Sequence, residues 1–436
     1  MLAQLFSDPQ IAAEFSDEQF TRYALTVEAA LAKVQADLGI IPADAAQAII
    51  AGAASLKVDS EQLRNATEKD GIPIIDLVRQ LRAHVGGEAA SYVHWGATTQ
   101  DIMDTALVLQ IRSSLSHIES RLHNLTLNLA RLADQHRNTL MAGRTHSQQA
   151  LPLPFGFKVA GWLAPLLRDR QRLTEIKPRL LVIELGGGVG TLAALGQSGI
   201  RVQHALAAEL DLAVPLMPWH TQRDSLVELA GWLSLVTGSL GKMAQDIILM
   251  AQTEVGELRE SADSSRGGSS TMPQKSNPIV SELIIAAART NATLLSAMHQ
   301  ALVQEHERAT SAWQIEWLNF PQMVLLTAAA LKKAQFLSVN LVVDSARMRD
   351  NVRASNGLML AEALDLALAP FLGRAEAKKL ISAACQRAIQ DNLHLVDVVH
   401  SQVDAPLNWE ALKDESAYFG SANAFIDRVL QEVEKR

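Results

Sequence analysis

The sequence predicts an all-α fold with long helices packed side by side, because two segments repeat apolar residues at alternating steps of three and four. The first repeat consists of Ile111, Leu115, Ile118, Leu122, Leu125, Leu129 and Leu132. The second repeat consists of Leu226, Leu229, Leu233, Val236, Leu240, Met243, Ile247 and Met250. If the second helix spans residues 222–260, it is roughly 55 Å long at about 1.5 Å per residue, far beyond an average globular helix. Such stripes need long partner helices, from the same chain in a monomeric bundle or from other subunits.

The remaining pattern is also helical, with breaks at glycine and proline. Further long helices are predicted over residues 149–177, 278–303 and 312–343, with breaks at 177–178, 186–188, 214–218 and 261–278. The glycine-rich stretch at 186–191 lacks the G-x-G-x-x-G spacing of a dinucleotide-binding loop, so it is predicted to be a turn. Gly231, Gly238 and Gly241 each cost up to about 1 kcal/mol inside a helix, so we expect that they allow another helix to approach closely.

Chain length and the distribution of helices predict the domain organisation. The chain has 436 residues, which is too many for one compact core. Short helices are predicted before residue 100 and after residue 346, on either side of the long-helix segments. We therefore expect an N-terminal helical domain over residues 1–100, a central long-helix bundle domain over 101–345 and a C-terminal helical domain over 346–436.

Composition and charge narrow the functional classes. A net charge of −8 and a pI near 5.9 argue against nucleic acid as the main partner. The single cysteine, Cys385, excludes a disulfide within the chain and metal sites built on thiolates. The N-terminus lacks a basic segment, and no uninterrupted apolar run approaches the roughly 18 residues that span a bilayer. We therefore expect a cytoplasmic protein that binds neither nucleic acid nor membrane.

The segment at residues 263–278 lies between two helical patterns and has no apolar periodicity of its own. It is rich in Gly, Ser and Pro, as a flexible linker would be, yet it concentrates hydroxyl, amine and amide side chains. Lys275 and Asn277 are suited to bind a carboxylate and to stabilise charge that develops on it. A serine beside a lysine and a helix start can act as a base. The residues alone leave both an active-site loop and a linker open.

Residues 268–278, Gly-Ser-Ser-Thr-Met-Pro-Gln-Lys-Ser-Asn-Pro, closely resemble the mobile loop of the fumarase/aspartase superfamily. The resemblance implies a three-domain, homotetrameric fold whose central helices form a twenty-helix core, with active sites shared between subunits. It also implies chemistry that needs neither a metal nor an organic cofactor. The site residues expected in this loop are Ser269, Ser270, Met272, Lys275 and Asn277. Ser269 is the expected proton carrier, and Ser270 is the less favoured choice.

Two further segments resemble the other conserved regions of the superfamily. Residues 94–105 resemble the first region and residues 143–152 the second. Hydroxyls and free N–H groups at a helix start make an anion site, although helix capping by Thr99 or Asp101 is the simpler alternative. The substrate-binding residues implied by both regions are His94, Thr98, Thr99, Arg144, Thr145, Gln148 and Gln149, and His146 is implied as catalytic.

Two positions distinguish the branches of the superfamily. Members that cleave adenylosuccinate carry a second histidine where this sequence has Gln149, and a phosphate-binding arginine where it has Trp317. A departing amine needs a proton from an acid, whereas a carboxylate with a pKa of about 4 does not, and an indole cannot clamp phosphate. Packing of Trp313 and Trp317 at i and i+4 on one helix face is the alternative. The run at residues 304–317 instead resembles the branch of carboxymuconate cycloisomerases.

That resemblance implies a lactonisation of a small-molecule tricarboxylate, in which a substrate carboxylate adds to a double bond and a carbon alpha to another carboxylate is protonated. The cationic partners expected for the substrate are Arg144, Lys275 and Arg308. Alternatively, Arg308 forms an ion pair with Glu305 or Glu307, and Arg144 only holds its loop. Two other functions stay open: another lyase of the superfamily that acts on adenylosuccinate-like substrates, and an inactive structural homotetramer.

Overall fold

A computed structural model describes residues 1–261, 263, 267–268, 271–272 and 274–435, and most of them are helical. The predicted all-α class is confirmed. The helices are α1 Pro9–Glu14, α2 Asp17–Asp37, α3 Ala43–Ser55, α4 Ser60–Asp70, α5 Ile74–Val85, α6 Thr99–Gln135, α7 Phe155–Leu180, α8 Gly199–Glu209, α9 Asp224–Ala251, α10 Ile279–Gln300, α11 Ala312–Asn340, α12 Ser345–Arg353, α13 Ala361–Leu372, α14 Arg374–Asp391, α15 Leu395–His400 and α16 Ala422–Glu434. The short strands are β1 Leu140–Thr145, β2 Gln148–Pro154, β3 Leu258–Arg259 and β4 Val342–Val343.

The chain divides into two compact units. The first unit consists of Met1–Ser120, Asp169–Gly238 and Ala287–Ala330. The second unit consists of Arg121–Arg168, Ser239–Ala286 and Leu331–Arg436. The three domains expected from the sequence stay a prediction.

The core of the first unit is formed by α2, α3 and α5, by the start of α6, and by α8 with the segment before it. Its buried residues include Ile49, Leu77, Ile102, Ile183 and Leu206. The apolar spacing on α6 buries one face of that helix, because residues three and four apart share a face. This packing fixes the first turn of α6, which contains part of the first predicted site region.

The second unit contains an antiparallel hairpin, β1–β2, in which Leu140 pairs with Pro154 and Thr145 with Gln148. The register shifts at Gly143, where an added Cβ would lie 2.8 Å from the carbonyl oxygen of Leu151. A separate core is formed by α13, α14 and α15 and includes Leu364, Ile381 and Val398. The hairpin carries the second predicted site region.

Three predicted helix boundaries were wrong. The helix expected from residue 149 begins at Phe155, because residues 148–154 form β2 instead. It also passes through Pro178, and the backbone N–H of Leu181 still donates to Lys177 at 2.9 Å. The helix expected to reach residue 260 ends at Ala251, because Gly256 turns the chain with a φ of 64° and β3 follows.

The exposed faces of α9 and α10 are unusual for a single chain. Outside the backbone of α9 itself, no described atom lies within 4 Å of a Cβ placed on Gly231 or Gly238. The close helix approach expected at these glycines is therefore not made within the described part of the chain. Among the described helices, only α10 is long and apolar enough to resemble a membrane span, yet just 22% of that stretch is buried. Both helices thus present small or apolar side chains on an open face.

Candidate active site

The carboxylate of Asp101 joins the start of α6 to the glycine-rich turn. Its Oδ2 accepts the backbone N–H groups of Thr98 at 2.9 Å and Gly187 at 3.0 Å, and its Oδ1 accepts that of Gly186 at 2.9 Å. The ring Nε2 of His220 lies 2.7 Å from Oδ1 and supplies a fourth donor. The side chain of Asp101 therefore caps the start of α6, which is the simpler alternative stated above for this residue. The same carboxylate also fixes the glycine-rich turn.

Glu184 is fully buried beside this carboxylate. Burial, and then the carboxylates of Asp104 and Asp101, raise the pKa of Glu184 to about 9, so it holds a proton at neutral pH. One oxygen of Glu184 accepts the backbone N–H of Trp219 at 2.5 Å, and the other lies 3.5 Å from Nε2 of His220. The side-chain oxygen and nitrogen atoms with which Asp101, Glu184 and His220 could bind a metal ion lie within 4.8 Å of one another. Because four N–H donors already fill the lone pairs of Asp101, we interpret this cluster as a hydrogen-bond network.

A buried ion triad lies one helical turn further along α6. The Nη1 and Nη2 atoms of Arg223 lie 2.6 and 2.9 Å from the oxygens of Asp104, and Nη2 also lies 2.6 Å from Oε2 of Glu316. Burial raises the pKa of Glu316, although the charge of Arg223 opposes the shift. Glu316 therefore has an internal partner, and the triad ties α6 to α11.

Arg308 is a guanidinium without a carboxylate partner in the described part of the chain. Its Nε donates to Oε1 of Gln100 at 3.1 Å, and its Nη1 donates to the carbonyl of Gly188 at 2.9 Å. Its Nη2 is buried, and no described group accepts a hydrogen bond from it. The alternative ion pair with Glu305 or Glu307 is wrong, since Glu305 instead accepts a backbone N–H at 3.0 Å. The charge of Arg308 is therefore available to a ligand.

His94 lies just before α6 and has a positive φ of 62°. Its Nδ1 is 2.6 Å from Oε1 of the buried Glu28. Burial alone would lower the pKa of His94, but the charge and the hydrogen bond of Glu28 outweigh that effect and raise it. Thr98 and Thr99 are half-buried at the helix start. Of the predicted residues of the first unit, Thr98 is thus held by Asp101, Arg308 by Gln100 and His94 by Glu28.

The second predicted region forms the tip of the β1–β2 hairpin. His146 and Ser147 have φ values of 49° and 64°, as the two-residue turns that connect tightly paired strands require. Neither residue is glycine or asparagine, so this conformation is strained. The exposed side chains at this tip are those of Thr145, His146, Ser147, Gln148 and Gln149. Nε2 of Gln149 donates to the carbonyl of Asn351 at 3.2 Å.

Arg144 stands at the base of that tip and is held by a buried carboxylate. Its Nη1 and Nη2 lie 3.0 and 2.6 Å from the two oxygens of Glu257, which has no exposed surface. Nδ2 of Asn351 adds a hydrogen bond to Oε1 of Glu257 at 2.8 Å. This forked pair uses the guanidinium to anchor the hairpin, which is the alternative expected for Arg144.

The loop at residues 263–278 is described only in part, and Ser269 and Ser270 lie outside the described residues. The N–H of Asn277 donates to the carbonyl of Gly267 at 2.8 Å, and a Cβ on Gly267 would lie 2.2 Å from the oxygen of Asn277. Glycine is thus required at this close approach, where φ is 69°. The N–H of Lys275 donates to the carbonyl of Met272 at 3.0 Å, and both side chains are exposed.

The start of α10, directly after this loop, is capped by an acid that sequence reasoning missed. Oxygens of Glu260 accept the backbone N–H groups of Val280 at 3.0 Å and Ser281 at 2.6 Å. The backbone N–H groups in the first turn of α10 were expected to assist a serine of the loop, but two of them already donate to Glu260. Glu260 belongs to no apolar repeat and lies 20 and 21 positions from its two partners, so only the folded chain reveals the contact.

Trp313 and Trp317 pack against each other with ring centroids 4.8 Å apart at 72°. Both contribute to the core of the first unit, so the packing alternative is confirmed. They also line a cavity of about 290 Å³ together with Phe15, Phe20 and Met103. The position at which a phosphate-binding arginine was expected in other branches therefore contributes apolar surface.

Comparisons with known proteins agree with this architecture. Residues 6–291 match the family described as lyase, and residues 357–429 match the family described as adenylosuccinate lyase C-terminus. The 3-carboxy-cis,cis-muconate cycloisomerase of Pseudomonas aeruginosa is 45% identical over 428 residues, covering 96% of this chain and 93% of that protein. Trans-aconitate decarboxylase 1 of Mycosarcoma maydis is 42% identical over 434 residues, covering 98% of this chain and 88% of that protein.

A solved structure gives the same result in three dimensions. The crystal structure of 3-carboxy-cis,cis-muconate lactonizing enzyme from Pseudomonas putida has a TM-score of 0.95 to this chain at 42% identity. The match covers 100% of this chain and 99% of that one. The fold described above is therefore that of these relatives over the whole length.

Proposed function

Because the chain belongs to the lyase family, that is, to the fumarase/aspartase superfamily, we propose that it converts 3-carboxy-cis,cis-muconate to 4-carboxymuconolactone in protocatechuate catabolism. This choice of reaction rests on two neighbouring residues of α11. There, Glu316 is bound to Arg223 and Trp317 packs in the core. No phosphate clamp is available at these positions, which disfavours an adenylosuccinate-like substrate.

The proposed reaction is an isomerisation that needs one proton transfer. An oxygen of one substrate carboxylate forms a C–O bond with the ring-closing carbon. The electron pair of the double bond moves to the carbon alpha to another carboxylate, which becomes enolate-like and then takes a proton. Ser269 delivers this proton, while His146, Lys275, Asn277 and Thr98 orient the substrate and hold the developing charge. Losing one such donor typically costs about 10²–10³ in rate.

The carboxylates of the substrate are divided among the cations as follows. Arg308 binds one of them, because its charge is not neutralised within the described chain. Lys275, with an exposed side chain in the loop, binds a second. Arg144 acts through the hairpin that it anchors to Glu257 rather than through direct contact. His94, Thr99, Thr145, Gln148, Gln149, Ser270 and Met272 complete the proposed substrate surface.

The proposed assembly is a cytoplasmic homotetramer with active sites shared between subunits. The exposed hairpin tip supports it, because Thr145 to Gln149 have few partners among the described residues of their own chain. The open faces of α9 and α10 support it as well, since helices with small residues pack closely. Light scattering of the purified protein tests the assembly, and a stable monomer would overturn it.

A spectrophotometric assay with purified 3-carboxy-cis,cis-muconate tests the reaction. We expect lactone formation, and at least a 100-fold loss of kcat in Ser269→Ala. Ser276→Ala is the matched control, because Ser276 is a serine of the same loop that is assigned no role in catalysis. Adenylosuccinate and trans-aconitate are assayed in parallel. Release of fumarate or of carbon dioxide without lactone formation would refute the cycloisomerase, and turnover of none of the three would favour an inactive structural protein.

A further inference from the structure

Gln100 lies in the first turn of α6 with only 1% of its surface exposed. Its amide nitrogen Nε2 donates to Oδ2 of Asp104 at 3.1 Å and to the carbonyl of His220 at 2.9 Å. Its carbonyl oxygen Oε1 accepts from Nε of Arg308 at 3.1 Å. Every polar atom of this side chain is therefore used, and all of its partners lie in the first unit.

The orientation of the Gln100 amide is determined by its partners. The carboxylate of Asp104 and the carbonyl of His220 can only accept hydrogen bonds, so the amide nitrogen must face them. Asp104 is itself held by Arg223 at 2.6 and 2.9 Å. The amide oxygen is thereby directed at Arg308, and no other described side chain donates a hydrogen bond to it.

Two neutral carbonyl oxygens fix the guanidinium of Arg308: that of Gln100 on Nε and that of Gly188 on Nη1. A neutral acceptor orients a cation and leaves its charge in place, whereas a carboxylate would both orient the cation and neutralise it. Nη2 remains buried without an acceptor. A buried donor without a partner is costly, and a ligand carboxylate at this point would remove that cost.

We propose that Gln100 is a positioning residue that aims Nη2 of Arg308 at a carboxylate of the substrate while leaving the guanidinium its full charge. The proposal rests on the proposed function for the identity of the substrate, and it adds a residue that determines specificity for an anionic group. Glutamate at this position would have nearly the same shape, but one oxygen would neutralise Arg308 and the other would face two acceptors, Asp104 and the carbonyl of His220. Gln100 thus selects for a carboxylate without contacting it.

Steady-state kinetics of Gln100→Met and Gln100→Glu test this assignment. We expect Gln100→Met to raise KM by about 10-fold, because hydrogen bonds to charged groups contribute about 1.5–3 kcal/mol. Gln100→Glu should raise KM further, while kcat changes by less than about 3-fold in both. Gln110→Met is the matched control: Gln110 is a buried glutamine of the same helix whose Nε2 donates to the carbonyl of Glu14 at 2.6 Å.

A double-mutant cycle separates positioning from general stability. If Gln100 acts only through Arg308, Gln100→Met should change KM by less than about 2-fold in an Arg308→Ala background. Equal effects in both backgrounds, or a fall in kcat with unchanged KM, would overturn the proposal. Calorimetry then measures the Kd of tricarballylate, a saturated tricarboxylate, for the wild type, the two single variants and the double variant. Wild-type protein that fails to form lactone refutes the proposed reaction, whereas loss of coupling between Gln100 and Arg308 refutes the positioning role.

Discussion

The start of α6 and the β1–β2 hairpin are both predicted parts of the site, yet they are built in opposite ways. At α6, Asp101 receives four N–H donors, and Arg308 is fixed by two carbonyl oxygens. At the hairpin, the base is fixed by Arg144 and Glu257, whereas the tip from Thr145 to Gln149 is exposed. The first region is held by partners in its own chain, whereas the second is an anchored base with an exposed tip.

This difference indicates where preorganisation is supplied. A binding group that must keep its charge and direction needs buried neutral partners, as Arg308 has. A group on an exposed tip has no such environment among the described residues of its own chain, even though its backbone is held in a strained turn at His146 and Ser147. The tip therefore needs a second surface, which the proposed subunit sharing supplies.

The largest effect is expected from mixing chains with defects in different regions. Arg308→Ala and His146→Ala should each lose at least about 100-fold in kcat/KM. Co-expressed as mixed tetramers, they should recover roughly a quarter of the wild-type activity, because some sites then combine two intact regions from different chains. Activity per site is measured after mass spectrometry has verified mixing. Mixed tetramers that stay inactive would show that each chain serves its own site.

The next largest effect distinguishes the base of the hairpin from its tip by stability. Arg144→Ala leaves the carboxylate of Glu257 buried without its cation, which should cost about 3 kcal/mol of unfolding free energy. Gln149→Ala removes a single exposed contact and should stay within about 0.5 kcal/mol. Denaturant unfolding at one fixed protein concentration measures both. Equal losses would contradict the contrast between the base and the tip.

Buried Glu184 should make the stability of the first unit depend on pH. Its pKa is raised from 4.5 to about 9, so the folded state holds a proton that the unfolded state has lost. Unfolding free energy should therefore fall as pH rises from about 4.5 to about 9, by at most about 1.4 kcal/mol per pH unit. Glu184→Gln should flatten this decline. An unchanged slope in that variant would mean that Glu184 is ionised when folded.

The sequence predicted the elements that depend on local periodicity and missed those that depend on distant partners. The long helices α6 and α9 follow from apolar residues three and four apart, a pattern that is visible in the sequence itself. The strand β2 was not predicted, because it depends on pairing with β1 across the turn at His146 and Ser147. The predicted end of α9 was wrong because Gly256 turns the chain before residue 260.

The candidate site divides in the same way. Thr98, Arg308 and His146 could be predicted as site residues because they lie in long segments that resemble a known family. Gln100, Glu257 and Glu260 were missed, because their roles depend on partners that are 20 to more than 200 positions away. Arg144 was assigned to substrate because no local feature indicated Glu257 as its partner. Polar networks of this kind become visible only when the chain is folded.

The smallest effect, and the sharpest contrast between the regions, is expected from their two histidines. Burial would lower the pKa of His94, but Glu28 raises it above 6.5. A raised pKa means that the ion pair contributes its full stability below about pH 6.5, and that this contribution is lost as pH rises through the folded pKa. His94→Asn should therefore cost on the order of 1 kcal/mol at pH 6 and less at pH 9.

His146→Asn is the control for that measurement, because His146 is exposed at the hairpin tip and takes part in none of the described ion pairs. Thermal unfolding of both variants at pH 6 and pH 9 gives the comparison. Glu28→Gln should reproduce the pH dependence of His94→Asn, since either change removes the same pair. A pH-independent loss in His94→Asn would assign His94 to packing alone, and the start of α6 would then owe its order to Asp101 and Gln100 rather than to the pair of His94 and Glu28.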